Sequence, residues 1–230
     1  MPPGARFFYG NFKLDPFKPI AELGNITFSG GMCQGTFAVA LMAGGRSTRM
    51  GSEKSGLIDA DGRLLWRGRL DLLTKMGTTE VLISCREEQH YFSDSGARLV
   101  FDHWQNAGPL GGIVDCLEAM SAERLLVLAV DLPAMPREAL ATLLEVAGTG
   151  GAVFRRGGFL EPLVAVYPKS MADSGRRRLE AGDYALQEWI MEAGDEMQKL
   201  EAPAEWSGFF LNVNDQATWA RWLKLGGKQA

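Results

Sequence analysis

Residues 37–43 read FAVALMA, and residues 44–55, which follow directly, read GGRSTRMGSEKS. A continuous apolar run that ends at glycine is typical of a central parallel strand, because helices cover both faces of such a strand. Gly44 and Gly45 lack a Cβ atom, so the backbone can turn sharply there and bring its N–H groups close to an anion. The pattern therefore predicts a buried strand followed by an anion-binding loop.

The loop after this strand is basic although the chain is acidic. Arg46, Arg49 and Lys54 lie within it, whereas the whole chain has a formal net charge of -4. Such a local positive field suits the oxygens of several phosphate groups. The P-loop pattern is absent, because it needs glycine immediately before lysine and two residues separate Gly51 from Lys54; no G-x-G-x-x-G follows the strand either.

Beyond the loop, strand-like and helix-like segments alternate, which is typical of an α/β fold. We expect a three-layer sandwich with a Rossmann-like, mostly parallel sheet and helices on both faces. Gly77 is a candidate helix stop, and Pro136 suits a first helical turn. Strands are predicted at 81–83, 98–101 and 125–130, and helices over 64–73, from near Leu110 past Ala119, and over 137–147.

Four of the predicted strands end in residues that suit a nucleotide. These strands end at Gly44, Ser84, Asp102 and Asp131. In open parallel sheets, ligands bind beyond the carboxyl ends of the strands, so these residues should meet in one cleft and suit a nucleoside triphosphate with Mg²⁺. Plainer roles are open too: Asp131 could cap a helix, worth about 1 kcal/mol, and Asp102 could start a turn.

Composition excludes several function classes. The mild acidity argues against a general nucleic-acid or membrane-surface binder, both of which need a broad basic face. Cys33, Cys85 and Cys116 are too far apart for a zinc knuckle or a C-x-x-C pair, and their odd number does not indicate a disulfide framework. His90 and His103 form no metal-binding H-x-x-x-H pair. We expect a protein of the reducing cytoplasm.

Residues 1–36 differ from the rest of the chain. They are rich in aromatic residues and proline, without helical or strand periodicity and without the long apolar run of a signal peptide or membrane span. They could be an arm that docks on the domain or on a partner, or an extension from an upstream start with Met32 as the true initiator. We favour a poorly ordered extension, followed by a single nucleotidyltransferase domain over 37–230.

Residues 42–54 resemble the signature of the molybdenum cofactor guanylyltransferases and their nucleotidyltransferase relatives, Leu-Ala-Gly-Gly-x-Ser-x-Arg-Met-Gly-x-Asp-Lys. They depart from it only by Met42 for Leu and Glu53 for Asp. The GPLGGI run at 108–113 is similar to a family element in which the related cytidylyltransferases carry a serine-rich segment, which favours guanine. Further similar segments are DLP at 131–133, EPL at 161–163 and FLNVN at 210–214.

The resemblance implies an enzyme that transfers GMP from GTP to the terminal phosphate of molybdenum-molybdopterin, releasing pyrophosphate. It implies catalytic roles for Lys54, Arg49 and Asp131, with Asp131 on Mg²⁺. The implied partners, besides both substrates, are molybdoenzyme chaperones or other cofactor-biosynthesis proteins. The implied GTP contacts are Met42, Ala43, Gly44, Gly45, Lys54, Ser84, Asp102 and Asp131, and the implied acceptor contacts are Glu161, Pro162, Asn212 and Asn214.

Two other readings compete with this one. The chain could be a nucleotidyltransferase of the same fold that uses CTP or a sugar-phosphate acceptor, or a nucleotide-binding module without catalysis. An intact Lys54 together with Asp102 and Asp131 argues against the non-catalytic reading. A phosphate monoester is already a good nucleophile at neutral pH, so the chemistry needs no Ser-His or Cys-His pair, and none is evident.

Overall fold

The computed structural model describes residues 36–45, 56–59, 61–104 and 106–224. The predicted loop cations Arg46, Arg49 and Lys54 lie outside these residues, as does the N-terminal extension apart from Thr36. Strands and helical segments alternate over 37–147 as the sequence predicts, whereas two strands over 151–168 and two helices over 172–192 follow one another directly. The strands are β1 Phe37–Met42, β2 Glu80–Cys85, β3 Arg98–Phe101, β4 Arg124–Ala129, β5 Gly151–Arg156, β6 Phe159–Pro168 and β7 Met197–Glu201; the α-helices are α1 Leu65–Thr74, α2 Pro109–Ala119, α3 Arg137–Ala147, α4 Ala172–Glu180, α5 Leu186–Glu192 and α6 Gln216–Lys224.

The strands form one sheet in the order β3-β2-β1-β4-β6-β5-β7. β1 runs parallel to both β2 and β4, and β2 runs parallel to β3. β6 is antiparallel to its neighbours β4 and β5, whereas β7 is parallel to β5. The mostly parallel α/β sheet predicted from the sequence is therefore confirmed, and β1 lies in the middle of its parallel half.

Helices cover both faces of the sheet, as the alternating side chains of β1 show. Val39 and Leu41 belong to a core cluster that includes residues of α1 and α3. Ala38 and Ala40 belong to a second cluster, which α2, α4 and α5 complete. Because successive side chains of a strand point to opposite faces, a strand buried on both sides must be apolar at every position. The three-layer arrangement is confirmed.

A small third cluster ties the end of the described chain to α1. Trp222 of α6 packs with Val213 and with Leu65 at the start of α1, and all three side chains are buried. The Trp219 and Trp222 rings lie with their centroids 4.9 Å apart and their planes tilted by 33°. This cluster fixes the segment that precedes α6, which carries Asn212 and Asn214.

Helix α2 ends at Ala119 instead of running past it. Met120 adopts an extended backbone conformation. The carboxylate of Glu80 accepts the next two free N–H groups, those of Ser121 at 2.7 Å and Ala122 at 2.9 Å. Those bonds turn the chain out of the helix and into β4.

Two further boundaries differ from the sequence prediction. Strand β2 continues to Cys85, so Ser84 lies inside the strand with its side chain at the sheet's ligand-facing end. Pro136 occupies the N-cap of α3 with an extended backbone, instead of a place in the first turn. Asp131, five residues earlier, therefore does not cap this helix. None of the helices in the described ranges is long and apolar enough to cross a membrane.

Candidate active site

A cleft of about 690 Å³ opens at the carboxyl ends of β1, β2, β3 and β4. The topology places it there, because the parallel strands all end at this edge of the sheet. Helix α2 begins at the same edge, so its N-terminus also borders the cleft. The implied GTP contacts that line it are Met42, Ala43, Gly44, Gly45, Ser84, Asp102 and Asp131.

The turn after β1 packs directly against Asp102. A Cβ atom at Gly44 would stand 2.3 Å from Asp102 Oδ2, so only glycine fits at this position without displacing the carboxylate. The N–H of Ala43 donates to the carbonyl of Ser84 at 2.8 Å, and the N–H of Asp102 donates to the carbonyl of Cys85 at 3.0 Å. These main-chain bonds hold the ends of three neighbouring strands in register around the carboxylate.

Ser84 and Asp102 form a hydrogen-bonded pair at the floor of the cleft. Ser84 Oγ donates to Asp102 Oδ1 at 3.1 Å. Asp102 as a whole is exposed, but neighbouring protein atoms remove part of the water around its carboxyl. This loss of hydration raises the pKa of its carboxyl; the Ser84 bond opposes the rise, Asp115 adds to it and Arg86 opposes it. The carboxylate would therefore gain from a cation or a hydrogen-bond donor brought by a ligand.

The N-terminus of α2 reaches this pair because Gly112 has no side chain. A Cβ atom there would stand 2.4 Å from Ser84 Oγ and 2.9 Å from Met42 Cε. Gly108, the N-cap residue, has a φ of +62°, which favours glycine, and Pro109 takes the first helical position. The GPLGGI segment thus has a physical reason for its glycines, since they bring the helix end onto the floor of the cleft.

Asp131 borders the opposite side of the cleft and is half-buried. Its carbonyl accepts the N–H of Val213 at 2.8 Å, and the N–H of Val130 donates to the carbonyl of Met42 at 3.1 Å. The first bond places Asn212 and Asn214, which flank Val213, beside the aspartate. Three segments that are distant in sequence therefore meet at Asp131.

The other two implied acceptor contacts lie on β6. Glu161 Oε1 accepts a hydrogen bond from Arg156 Nε at 2.9 Å, and the carbonyl of Pro162 accepts one from the Tyr167 hydroxyl at 2.7 Å. Leu163, the next residue, lines the cleft. Glu161 and Pro162 themselves do not line it, so the structure brings this segment to the border of the cleft without bringing the two side chains into it.

Sequence reasoning missed the segment that follows β2. Arg86 and Gln89 line the cleft and donate to carbonyls of the turn after β1. One signal for Arg86 was present: it stands two residues after Ser84, where a cation just past the end of a central strand is a candidate ligand group. The aromatic wall of the cleft carried no such signal; it includes Trp66, Tyr91, Phe92 and Trp104.

His103 and Asp115 form a second contact that the sequence did not indicate. Asp115, buried on α2, accepts the backbone N–H of His103 at 3.0 Å and contacts its Nδ1 at 3.2 Å. Because His103 directly follows Asp102, this bond anchors the chain on the far side of the candidate nucleotide contact.

Neither cysteine in the described residues can supply a nucleophile. Cys85 and Cys116 are buried free thiols. Burial raises the pKa of the Cys85 thiol to about 11, with a further contribution from the Asp102 charge. Burial also raises the pKa of the Cys116 thiol. Both therefore stay protonated at neutral pH, whereas the thiolate is the reactive form.

The donor set of the cleft fits Mg²⁺ rather than a transition metal. Its candidate ligands are the carboxylates of Asp102 and Asp131, hard oxygen donors of the kind that Mg²⁺ prefers. No group of three or more His, Cys, Asp or Glu side chains that could hold a metal occurs within the described ranges. Mg²⁺ needs no such cage, because it is commonly held by one or two carboxylates together with substrate phosphates and water.

Comparison with known proteins identifies a matching family model and similar relatives. Residues 39–197 match the MobA-like NTP transferase domain. A molybdenum cofactor guanylyltransferase of Pseudomonas putida strain F1 is 31% identical over 181 residues, covering 75% of this chain and 92% of the relative. One of Pseudomonas aeruginosa strain LESB58 is 34% identical over 169 residues, covering 72% and 85%.

A solved structure agrees in fold. Molybdopterin-guanine dinucleotide biosynthesis protein A from Archaeoglobus fulgidus superposes with a TM-score of 0.67, covering 82% of this chain and 98% of that chain, at 23% sequence identity. At that identity the likeness shows that the two chains share their α/β fold.

Proposed function

This chain belongs to the MobA-like NTP transferase family, and we propose from that premise that it transfers GMP from GTP to the terminal phosphate of molybdenum-molybdopterin. The products are pyrophosphate and the molybdopterin guanine dinucleotide cofactor. The observation that carries the proposal is the meeting of the Gly44–Gly45 turn, the Ser84–Asp102 pair and Asp131 on one cleft.

The reaction is an in-line displacement at phosphorus. An oxygen of the acceptor's terminal phosphate forms a bond to the α-phosphorus of GTP, while the bond from that phosphorus to the α,β-bridging oxygen breaks and pyrophosphate leaves with the electron pair. The protein contributes mainly positioning and charge neutralisation to such a transfer. No covalent protein intermediate is needed, in keeping with the two protonated thiols.

The predicted site residues have the following roles in this proposal. The main chain of Met42, Ala43, Gly44 and Gly45 receives the nucleotide, with Ser84 and Asp102 as further contacts. Lys54 and Arg49 neutralise the phosphates. Asp131 holds Mg²⁺, which when bound supplies positive charge to the phosphate oxygens.

The acceptor end is proposed from position and resemblance together. Asn212 and Asn214 are amides beside Asp131, and Glu161 and Pro162 precede the cleft residue Leu163. We place the acceptor on this side, opposite the N-terminus of α2. Molybdoenzyme chaperones or other cofactor-biosynthesis proteins would receive the product in the cytoplasm.

The test is pyrophosphate release from purified protein with Mg²⁺, comparing GTP with CTP, each with and without molybdopterin. We expect release with GTP that depends on the acceptor. Greater pyrophosphate release with CTP, or release that needs a sugar phosphate in place of molybdopterin, would show that the chain is a nucleotidyltransferase of the same fold with a different substrate. Tight GTP binding without release under any of these conditions would indicate a non-catalytic module.

A further inference from the structure

Three consecutive main-chain carbonyls after β1 are held by two side chains of the segment that follows β2. Gln89 Nε2 donates to the carbonyl of Ala43 at 3.2 Å. Arg86 Nη1 donates to the carbonyl of Gly44 at 2.7 Å and to that of Gly45 at 3.1 Å. In an extended strand successive carbonyls point to opposite sides, so three that face one neighbour mark a tight curl of the chain.

This curl determines where the N–H groups point. In a planar trans peptide, the carbonyl and the N–H that follows it point in opposite directions. The N–H groups of Gly44 and Gly45 follow the held carbonyls of Ala43 and Gly44, so both point away from Arg86 and Gln89. Successive N–H groups that share one side form an anion-binding nest.

The two side chains are themselves fixed. Arg86 Nε donates to Glu88 Oε1 at 2.7 Å, and the backbone N–H of Arg86 donates to Gln89 Oε1 at 2.8 Å. The Arg86 side chain is only 18% exposed, and Gln89 is 4% exposed. A planar guanidinium can donate hydrogen bonds to Glu88 and to two carbonyls at once. The single ammonium of lysine lacks this fork geometry.

We propose that Arg86 is a positioning residue: by holding the Gly44 and Gly45 carbonyls, it directs the N–H groups of this turn to a phosphate of the bound nucleotide. It acts through the main chain, and its own charge is not the phosphate contact. The inference rests on the proposed use of GTP, but not on the identity of the acceptor.

The experiment is calorimetric titration of GTP and of guanosine, which lacks phosphates, into three proteins: wild type, Arg86→Lys and Arg177→Lys. Arg86→Lys keeps the charge and removes the fork, so GTP affinity should fall about tenfold, the usual effect of losing a charged hydrogen bond. Guanosine affinity should not change. Arg177 is exposed on α4 and does not line the cleft, so its variant is the matched control and should bind both ligands as the wild type does.

Three results would overturn the inference. Unchanged GTP affinity in Arg86→Lys would mean that the fork is dispensable. Equal losses for GTP and guanosine would mean that Arg86 supports the whole cleft rather than the phosphate nest. If Arg86→Lys fails to fold, Gln89→Met replaces it. This variant keeps the guanidinium but removes the bond to the Ala43 carbonyl, together with the bonds to the Arg86 N–H and the Tyr91 hydroxyl. It should weaken GTP binding about threefold, and an unchanged GTP affinity would count equally against the role.

Failure of this inference is distinct from failure of the proposed function. Wild-type protein that binds GTP and releases no pyrophosphate refutes guanylyl transfer, and the effect of Arg86→Lys on binding can still be measured. Wild-type protein that transfers GMP, with an Arg86→Lys variant that binds GTP normally, refutes only the positioning role.

Discussion

Asp102 and Asp131 carry like charges on the same cleft, but their surroundings differ. Asp102 accepts a hydrogen bond from Ser84 and has its pKa raised by loss of hydration. Asp131 is half-buried, and its carbonyl is bonded to the chain before α6. The two residues should therefore respond differently when their charges are removed.

Asp131→Asn should abolish metal-dependent turnover while the fold survives. The amide keeps the shape of the side chain, and the main-chain bond to Val213 is unaffected, but a hard divalent cation loses its charged ligand. We expect turnover to fall about a hundredfold or more. A Mg²⁺ titration of pyrophosphate release, with thermal unfolding alongside, measures both effects. Normal turnover at ordinary Mg²⁺ would show that the metal is held elsewhere, and a loss of turnover through unfolding alone would contradict the expected survival of the fold.

Asp102→Asn should make the free protein more stable at neutral pH while weakening GTP binding. The folded pKa of Asp102 is raised, so ionising it costs stability; that cost is fully present above the folded pKa and disappears as the pH falls below the unfolded value, about 3.9. Because Asp102 is exposed, solvent screens this cost, so we expect a Tm only slightly above wild type at pH 7 and a vanishing difference near pH 3.

The control for this variant is Asp94→Asn, which alters an exposed aspartate outside the cleft. It should leave both the Tm and the GTP affinity unchanged. A lower Tm for Asp102→Asn at pH 7 would mean that the carboxylate stabilises the free protein, contrary to its raised pKa.

At the scale of elements, the site depends on how α2 and the segment before α6 are held at the sheet edge. Helix α2 approaches through glycine, whereas α6 is attached through the Trp222 cluster and the Val213 bond. The first is a close approach in which a side chain at Gly112 would displace Ser84 and Met42. The second is a packing contact that a smaller side chain would loosen.

Gly112→Ala should damage nucleotide binding more than stability. The new methyl group would displace the Ser84 hydroxyl and the end of Met42, both of which can move, while alanine favours the helix by up to about 1 kcal/mol. We expect a Tm near that of wild type and GTP affinity about tenfold lower. Calorimetry and thermal unfolding on the same preparation test this, and undiminished GTP affinity would contradict it.

Trp222→Ala should loosen the acceptor side of the cleft. Trp222 is 4% exposed, and truncating a buried tryptophan costs about 3 kcal/mol or more. The loss of stability should appear first in the segment that holds Val213 against Asp131. Hydrogen exchange of the Val213 amide is the measurement: we expect faster exchange in Trp222→Ala and nearly wild-type exchange in Trp222→Phe. Equal protection in both variants would show that this cluster does not support the bond.

At the scale of the whole molecule, the features that follow general rules of α/β folds could be predicted from the sequence. β1 was recognisable because burial on both faces makes every position apolar, and the grouping of Ser84, Asp102 and Asp131 followed from where parallel strands end. The family, the α/β fold and the three-layer arrangement are confirmed. The roles of the individual site residues stay predictions, including those of Lys54 and Arg49, outside the described ranges.

What could not be predicted depends on side-chain reach and on contacts between distant segments. Nothing in the local pattern around Arg86 says that its guanidinium meets two carbonyls more than 40 residues earlier in the chain, at separations of 42 and 41 residues. The end of α2 was misjudged for the same reason, since the group that turns the chain away is the carboxylate of Glu80 on another strand.

The bond between Val213 and Asp131 also sets an order of events during synthesis. Val213 is translated 82 residues after Asp131, which at 5–20 residues per second is a delay of roughly 4 to 16 s. The parallel strands that form the nucleotide side have all left the ribosome by then. A newly made chain can therefore shape the nucleotide side of the cleft first, and the edge at Asp131 is completed later, when Val213 reaches it.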